Sequence, residues 1–585
     1  MSSDTIWIGN DHGGYELKAE LLKWLAERNI PFRDVGCNSA EIVRYPYYAA
    51  RVVKAVLRGE AGRGILICST RIGMSIIANR YPGIRASLST STYMGRMTRA
   101  HNDSNILCLG GKITGPLEAL DILDVWLKTP YEGGRHDISL GLIAEAEAAL
   151  GKGCVWEGHN REPAMQFETA KKRIRHFKGD KYVYGFDVLR RAGQVAAGLG
   201  NHAVLVRDAF PGSDRFLKEI EASLDSAGVE VLEIVDGAAP NAPREDLSRI
   251  AATIARRTPS VVISFGGGST IDAVKAAGVI CALGGSVDDY FGTGVVTQAL
   301  TKAAAKLTPH LAIQTAASSG SHLTKYSNIT DLRTLQKKLI VDETIVPPRA
   351  TFDYQTTVGA PASLTIDGAL DAMAHSVEVL YGAVGKPHYA EMEEVARETV
   401  SLVLQYLPRV LNNPQDREAR EAIGLAADLG GYAIMLGGTN GAHLTSVSLI
   451  DILSHGRACA ILNPYYTVLF ASAIQEPLRL LAGVCRQVGL AGPDIESLSG
   501  RELAAAVAGA LIGFERQVGV PTTLGEVPGF GPAHVERALT AAKSPQLKMK
   551  LENMPMPMNA EMVDDYLGPL LEAAASDDPE RIRSL

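Results

Sequence analysis

The segment Gly64-Ile65-Leu66-Ile67-Cys68-Ser69-Thr70-Arg71-Ile72-Gly73 reads as a buried apolar strand that runs into a tight turn and then a helix. Val261-Val262-Ile263-Ser264-Phe265-Gly266-Gly267-Gly268-Ser269-Thr270 gives the same reading much further along. Strands that are apolar on both faces belong in parallel sheets covered by helices. The carboxyl ends of such strands are where open α/β sheets hold ligands. Two such units, unlike each other, predict two sites on one polypeptide.

The 585 residues are too many for one hydrophobic core. From Thr5 the pattern is strand, loop, helix, repeated, which predicts a Rossmann-like parallel α/β domain over residues 1–150. Leu142–Leu150 reads as its closing helix. Residues 151–180, with Pro163 and the basic run Lys171–Arg175, read as a linker with a solvated surface. The α/β pattern restarts over 181–360, and residues 361–585 carry mostly helical patterns rich in Ala, Leu and Glu. No short-period repeat or low-complexity tract interrupts them.

Bulk composition narrows the function. Hydrophobic residues at 46% and charged residues at 21% are ordinary for a soluble globular protein. A net charge of −7 without a strongly basic stripe argues against nucleic-acid binding. Seven cysteines with no CxxC pair match a reducing compartment. The amino terminus shows no signal-peptide pattern, and no apolar run is long enough for a membrane helix. The expectation is a cytoplasmic protein with no membrane association.

In the first domain Asp11-His12-Gly13-Gly14 follows the first strand, at the ligand-binding edge. Amide donors and a helix dipole beyond Cys68 could hold an anion and lower the thiol pKa. His101-Asn102-Asp103 precedes another strand. The segments IGNDHGGYELKAELLKWL, RYPYYA, GILICSTRIGMSI, RAHNDSNILCLG and YEGGRH occur in one order. Together they resemble the ribose-5-phosphate isomerase B / galactose-6-phosphate isomerase family. The resemblance implies metal-free aldose–ketose isomerisation through an enediolate. Cys68 would be the base that moves a proton between C1 and C2. Thr70 and His101 would assist ring opening, and Asp11, His12, Tyr45 and Asn102 would hold hydroxyls or the enediolate. Arg135 would bind the distal end of the substrate.

The chain departs from that family after the cysteine, where Ser69-Thr70-Arg71 replaces Gly-Thr-Gly. Arg44, Lys112 and Ser139 also stand where the family has other residues. Arg71 is expected to enter the site as a substrate-binding cation. Three readings stay open: a phosphorylated sugar of different length, an unphosphorylated sugar or acid, or a domain that has lost turnover.

In the second half, the turn Gly267-Gly268-Ser269 between strand and helix suits a pyrophosphate. Asp371 and His375 stand four apart on a helical pattern, so they share a face. His443 and His455 follow; one carboxylate and three imidazoles suit Fe²⁺ or Zn²⁺. FGGGSTIDAVKAA, QTAASSGSHLT, IDGALDAMAHSVE and SHGRACAILNP resemble the iron-containing (group III) alcohol dehydrogenases. The resemblance implies a dinucleotide-binding α/β domain, a helical domain and a metal in the cleft between them. Asp371, His375, His443 and His455 map to the ligands, and Thr315 to a cofactor contact. Asp208, at the end of a strand, would accept from a ribose 2′-OH and favour NAD(H). His322 stands where the family commonly has Glu, a change expected to alter substrate contacts.

Joined, the two resemblances imply a bifunctional enzyme that links aldose, ketose and alditol of a four- or five-carbon sugar or sugar phosphate. The alternative is a dehydrogenase whose first domain only binds sugar or assembles subunits. Both families imply a homo-oligomer.

Overall fold

The computed structural model describes residues 5–151, 163–318, 320–334, 336–556 and 558–583. They form two compact units, Met1–Glu162 and Pro163–Leu585.

The first unit is a five-stranded parallel sheet. Its strands are β1 (Ile6–Asn10), β2 (Phe32–Asp34), β3 (Arg63–Cys68), β4 (Ala86–Leu88) and β5 (Ile106–Gly110), in the order β2-β1-β3-β5-β4. β1, β3 and β5 are buried almost throughout, as their continuous apolar runs require. One face packs Leu17, Leu21, Leu25, Ile122 and Trp126 from two helices. The other packs Val52, Val53, Met74 and Ala78. The order reverses between β1 and β3, so their carboxyl ends flank the crevice expected to bind ligand.

The second unit holds a six-stranded parallel sheet in the order β6-β14-β11-β9-β7-β8. These strands are β6 (Tyr182–Gly185), β7 (His202–Arg207), β8 (Glu230–Asp236), β9 (Val261–Gly266), β11 (His310–Gln314) and β14 (Arg349–Asp353). A small sheet joins β10 (Gly292–Thr293), β12 (Tyr326–Asp331) and β13 (Gln336–Val341), with β12 and β13 antiparallel. From Ala362 the chain is helical, and a large apolar core surrounds the buried helix Ala362–Gly382. The α/β class with a helical carboxyl-terminal part is as expected from sequence.

The expected linker over 151–180 is not one throughout. Pro163–Lys178 is a 16-residue helix of the second unit. Phe167, Ala170 and Ile174 enter that unit's core, and Lys171 and Arg173 pair with Glu421 and Glu394 at 2.7 and 2.6 Å. The basic run is thus one face of an amphipathic helix. Residues 152–162 lie outside the described residues. Among the described residues no helix is long and apolar enough to cross a membrane.

Candidate functional site

At the carboxyl edge of the first sheet three turns meet. Asp11 N–H donates to the Ile67 carbonyl at 3.1 Å, Gly111 N–H to Cys68 at 2.8 Å and Lys112 N–H to Ser69 at 3.1 Å. A Cβ on Gly13 would lie 2.0 Å from Ser69 Oγ, so only glycine lets these turns close. Cys68 ends β3, 4% exposed. The Asp11 carboxylate accepts from Gly13 N–H at 2.9 Å; burial raises its pKa while His12 opposes the rise. His12 Nδ1 accepts from Val43 N–H at 3.3 Å. The Tyr45 ring lies over Gly73, and Thr70 is exposed on the turn. Asp11, His12, Tyr45, Cys68 and Thr70 therefore share one edge.

Arg71 is on that edge but not as expected. It takes a left-handed conformation, φ 64°, which explains the preference for glycine there. Its guanidinium turns inward, buried, and Nη1 donates to the Ser89 carbonyl beyond β4. It braces the sheet edge instead of projecting as an open anion-binding cation.

His101 and Asn102 are placed elsewhere. They follow the helix Thr92–Ala100 and precede β5, whose last residue, Gly110, is level with Cys68. Strand rise puts the start of β5 about 13 Å below that level. Other contacts confirm this opposite edge: Ser104 accepts from Trp126 Nε1 at 2.8 Å, and Arg63, at the start of β3, donates to the Trp126 and Leu127 carbonyls. The His101 ring stacks on His136 at 4.1 Å, with Glu132 3.7 Å from Nε2. A single chain does not bring His101 or Asn102 to Cys68. Arg135 opens the helix Arg135–Gly151 beside this group, and its side chain lies outside the described residues.

The second unit contains a cavity of about 1150 Å³. One end is the dinucleotide turn. The 16-residue helix Gly268–Leu283 opens on it, so its unpaired amides and dipole favour an anion. A Cβ on Gly267 would meet nothing closer than 3.9 Å, leaving the turn's backbone accessible. Ser269 Oγ accepts from Asn241 N–H at 3.0 Å. Thr315 follows β11 and lines the cavity. Asp208 Oδ2 accepts from Gly267 N–H at 2.8 Å and Oδ1 from the Thr270 hydroxyl. Burial raises its pKa; Thr270 and Gly267 oppose this. Its carboxylate thus ties β7 to the turn, with lone pairs left for a further donor.

At the other end Asp371 Oδ1 lies 3.7 Å from His375 Nε2, 3.5 Å from His443 Nε2 and 3.7 Å from His455 Nε2. Asp371 and His375 are one helical turn apart on Ala362–Gly382, and His455 opens the helix His455–Leu469. His443 Nδ1 faces Glu378 Oε1 at 2.6 Å. Burial works against ionisation of Glu378, but His443 holds its pKa low.

Residues 6–143 match the Ribose/Galactose Isomerase family. Residues 179–354 match Iron-containing alcohol dehydrogenase, and 365–567 the Fe-containing alcohol dehydrogenase family, C-terminal. Ribose-5-phosphate isomerase B of Escherichia coli (strain K12) is 43% identical over 142 residues, 24% of this chain and 95% of that protein. NAD-dependent methanol dehydrogenase of Bacillus methanolicus is 30% identical over 330 residues, 56% of this chain and 81% of that protein. The chain belongs to both families, one after the other. The fold of its dehydrogenase unit is also that of an alcohol dehydrogenase from Oenococcus oeni, with TM-score 0.59 and 23% identity over 68% of this chain and 98% of that one.

NAD(H) and a divalent metal, expected from the sequence, are the cofactors of the iron-containing dehydrogenase family. The residues fit a metal. Asp371 Oδ1 and His443 Nε2 are buried atoms without a hydrogen-bond partner, 3.5 Å apart on the wall of the cavity. Leaving such atoms unsatisfied is costly, and a cation satisfies both.

Sequence reasoning missed Glu378, although it lies three residues after His375 on the same buried helix; that spacing was the available signal. It also missed Lys337 and Lys550, which line the cavity beside the histidines. His322 does not touch the cavity. Its Nε2 sits 3.1 Å from Tyr182 Oη and 3.2 Å from Asp428 Oδ1, wholly buried, where burial lowers its pKa. The expected effect on substrate contacts is therefore not direct.

Proposed function

We propose that the chain is a bifunctional enzyme: an aldose–ketose isomerase joined to an NAD(H)-dependent polyol/ketose dehydrogenase, acting on a four- or five-carbon sugar phosphate. The observation that carries this reading is the buried Lys550 in the dehydrogenase cavity. Its Nζ donates to Thr439 Oγ1 at 2.6 Å, among the residues that surround Asp371 and His443. Burial lowers its pKa and Glu378 opposes this; an arriving phosphate favours the charged form. A lysine at that place suits a substrate carrying the anion that sugar phosphate isomerases handle.

In the first unit Cys68 removes the proton from C2 of the open-chain aldose and returns it to C1, while the hydroxyl proton moves from O2 to O1. Asp11 and His12 hold hydroxyls at the same edge. His101 and Asn102 reach such a site only from a second copy of the chain, which supports a homo-oligomer. In the second unit Asp371, His375, His443 and His455 would hold the metal. Gly267, Gly268, Ser269, Thr315 and Asp208 would hold the dinucleotide, with Asp208 favouring NAD(H). When bound, the metal supplies Lewis-acid polarisation of the carbonyl and NADH supplies the hydride. Lys550 orients the phosphate. We place the protein in the cytoplasm, as its six described cysteines are all free.

The inward Arg71 favours a second reading, in which the first unit binds sugar without turnover. Incubation with ribose 5-phosphate or erythrose 4-phosphate, NADH and Zn²⁺ or Fe²⁺ separates them. We expect NADH oxidation from the aldose, abolished by Cys68→Ala while reduction of the matching ketose survives. Equal rates with and without Cys68 would establish the second reading.

A further inference from the structure

Cys459 is absent from every role given so far, yet it lies against the metal-binding residues. It stands four residues after His455 on the helix His455–Leu469, hence on the same face, and it is fully buried. One donor atom each from Asp371, His443, His455 and Cys459 lie within 4.8 Å of one another. That is the spread of atoms gathered round one cation, whose bonds to oxygen, nitrogen and sulfur are about 2.0–2.3 Å. His375, although 3.7 Å from Asp371, is not a member of this mutually close set.

Two further observations point to a ligand. Asp371 Oδ1 and His443 Nε2, both on residues only 4% exposed, have no hydrogen-bond partner and face the same point. The second is the place of the thiol: Sγ donates to Ser446 Oγ at 3.3 Å and lies against the His443 imidazole. His443 is turned the right way, because Glu378 occupies its Nδ1 and leaves Nε2 for the cation.

We propose that Cys459 is a sulfur ligand to the metal of the dehydrogenase unit, making the donor set in this chain one carboxylate, imidazoles and a thiolate. The inference rests on the metal-dependent reading above and extends it. Coordination forms a metal–sulfur bond and releases the thiol proton to solvent, with no change in oxidation state. A thiolate is the softest of these donors, so the site selects Zn²⁺ over Fe²⁺ more strongly than a set of imidazoles and carboxylate alone.

The full-length protein, stripped with chelator and reloaded with one equivalent of Co²⁺, provides the test. We expect a thiolate-to-cobalt charge-transfer band in the near ultraviolet in addition to the weaker visible bands. Cys459→Ser and Cys459→Ala should lose the former and keep the latter, with one Co²⁺ per chain. Zn²⁺ should outcompete Fe²⁺ at least tenfold less well in those variants. Because a variant can fail to fold, X-ray absorption of the unmodified protein loaded with Zn²⁺ gives an independent readout: a sulfur shell at about 2.3 Å is expected. Stoichiometric Co²⁺ without the sulfur band, or Zn²⁺ with only nitrogen and oxygen neighbours, overturns the role of Cys459 and leaves the metal site standing. Failure to bind Co²⁺ or Zn²⁺ at all overturns both.

Discussion

Glu378 governs how His443 is presented to the cavity. Its Oε1 meets His443 Nδ1, and its Oε2 accepts from Asn440 N–H at 2.8 Å, so the carboxylate is itself fixed. Partners of this kind orient a ligating imidazole and raise its basicity. Glu378→Gln is therefore expected to weaken metal affinity by about 10- to 100-fold at near-unchanged thermal stability of the metal-free protein, read by metal titration. An unchanged affinity would remove Glu378 from this role. Lys550 belongs to the same scale. Lys550→Met should raise KM for a phosphorylated ketose by about 10- to 100-fold, the loss of one charge-assisted hydrogen bond, while an unphosphorylated ketose is reduced as before. Equal losses on both substrates would show that Lys550 only shapes the fold. The sequence made Asp371 and His375 legible because a spacing of four puts them on one helical face, and His443 and His455 legible through the family resemblance. It could not show where Arg71 points. The same left-handed backbone serves an arginine that turns out or in, and only the Ser89 carbonyl decides.

Helices and strands are unevenly legible in the sequence, for physical reasons. The buried strands β3 and β9 announce themselves by continuous apolar runs that nothing else in a soluble chain requires. The helix Pro163–Lys178 did not, because Pro163 and a basic run look like a linker until Phe167, Ala170 and Ile174 are seen as its buried stripe. Proline at the first helical position is a start signal as much as a break. β11 carries a pH dependence of its own. His310, at its start, is buried with Nε2 2.8 Å from Ser264 Oγ. Burial lowers its pKa to about 3, and nearby Lys275 adds to the effect. The folded state thus holds His310 neutral, whereas the unfolded chain takes up a proton near its ordinary pKa of 6.5. The contribution is present above pH 6.5 and declines as the pH falls towards 3. By pH 5 the second unit should lose about 2 kcal/mol from this residue alone, 1.5 pH units at ~1.4 kcal/mol each. Urea melts at pH 7 and pH 5 should show this loss, and His310→Gln should show correspondingly less of it. Identical slopes in the two proteins would disprove the assignment.

At the scale of the whole molecule, the parallel pairing of β3 with β5 bears on the proposed second copy. A parallel sheet keeps residues that precede a strand and residues that follow its neighbour at opposite edges. His101 and Cys68 are therefore separated by the length of β5 however the side chains rotate. The sequence brings both into one family pattern, but a linear pattern does not say which chain supplies which residue. If the isomerase site is assembled between copies, then two inactive variants should repair each other. Cys68→Ala lacks the base, and His101→Ala lacks the imidazole offered to the neighbouring copy. In a mixed dimer one site combines both defects and the other has neither. Co-expressed or exchanged in equal amounts, the two variants should recover about a quarter of the unmutated isomerase activity, since random pairing makes half the dimers mixed and each of these keeps one of two sites. Dehydrogenase activity on the ketose should be unaffected in all the preparations, because both substitutions lie in the first unit. Recovery should also track the exchange of subunits, measured by mass spectrometry of differently labelled chains. Mixed oligomers that form but stay inactive would place Cys68 and His101 in the same site of one chain, or out of a common site altogether, and with that the requirement for a partner would fall.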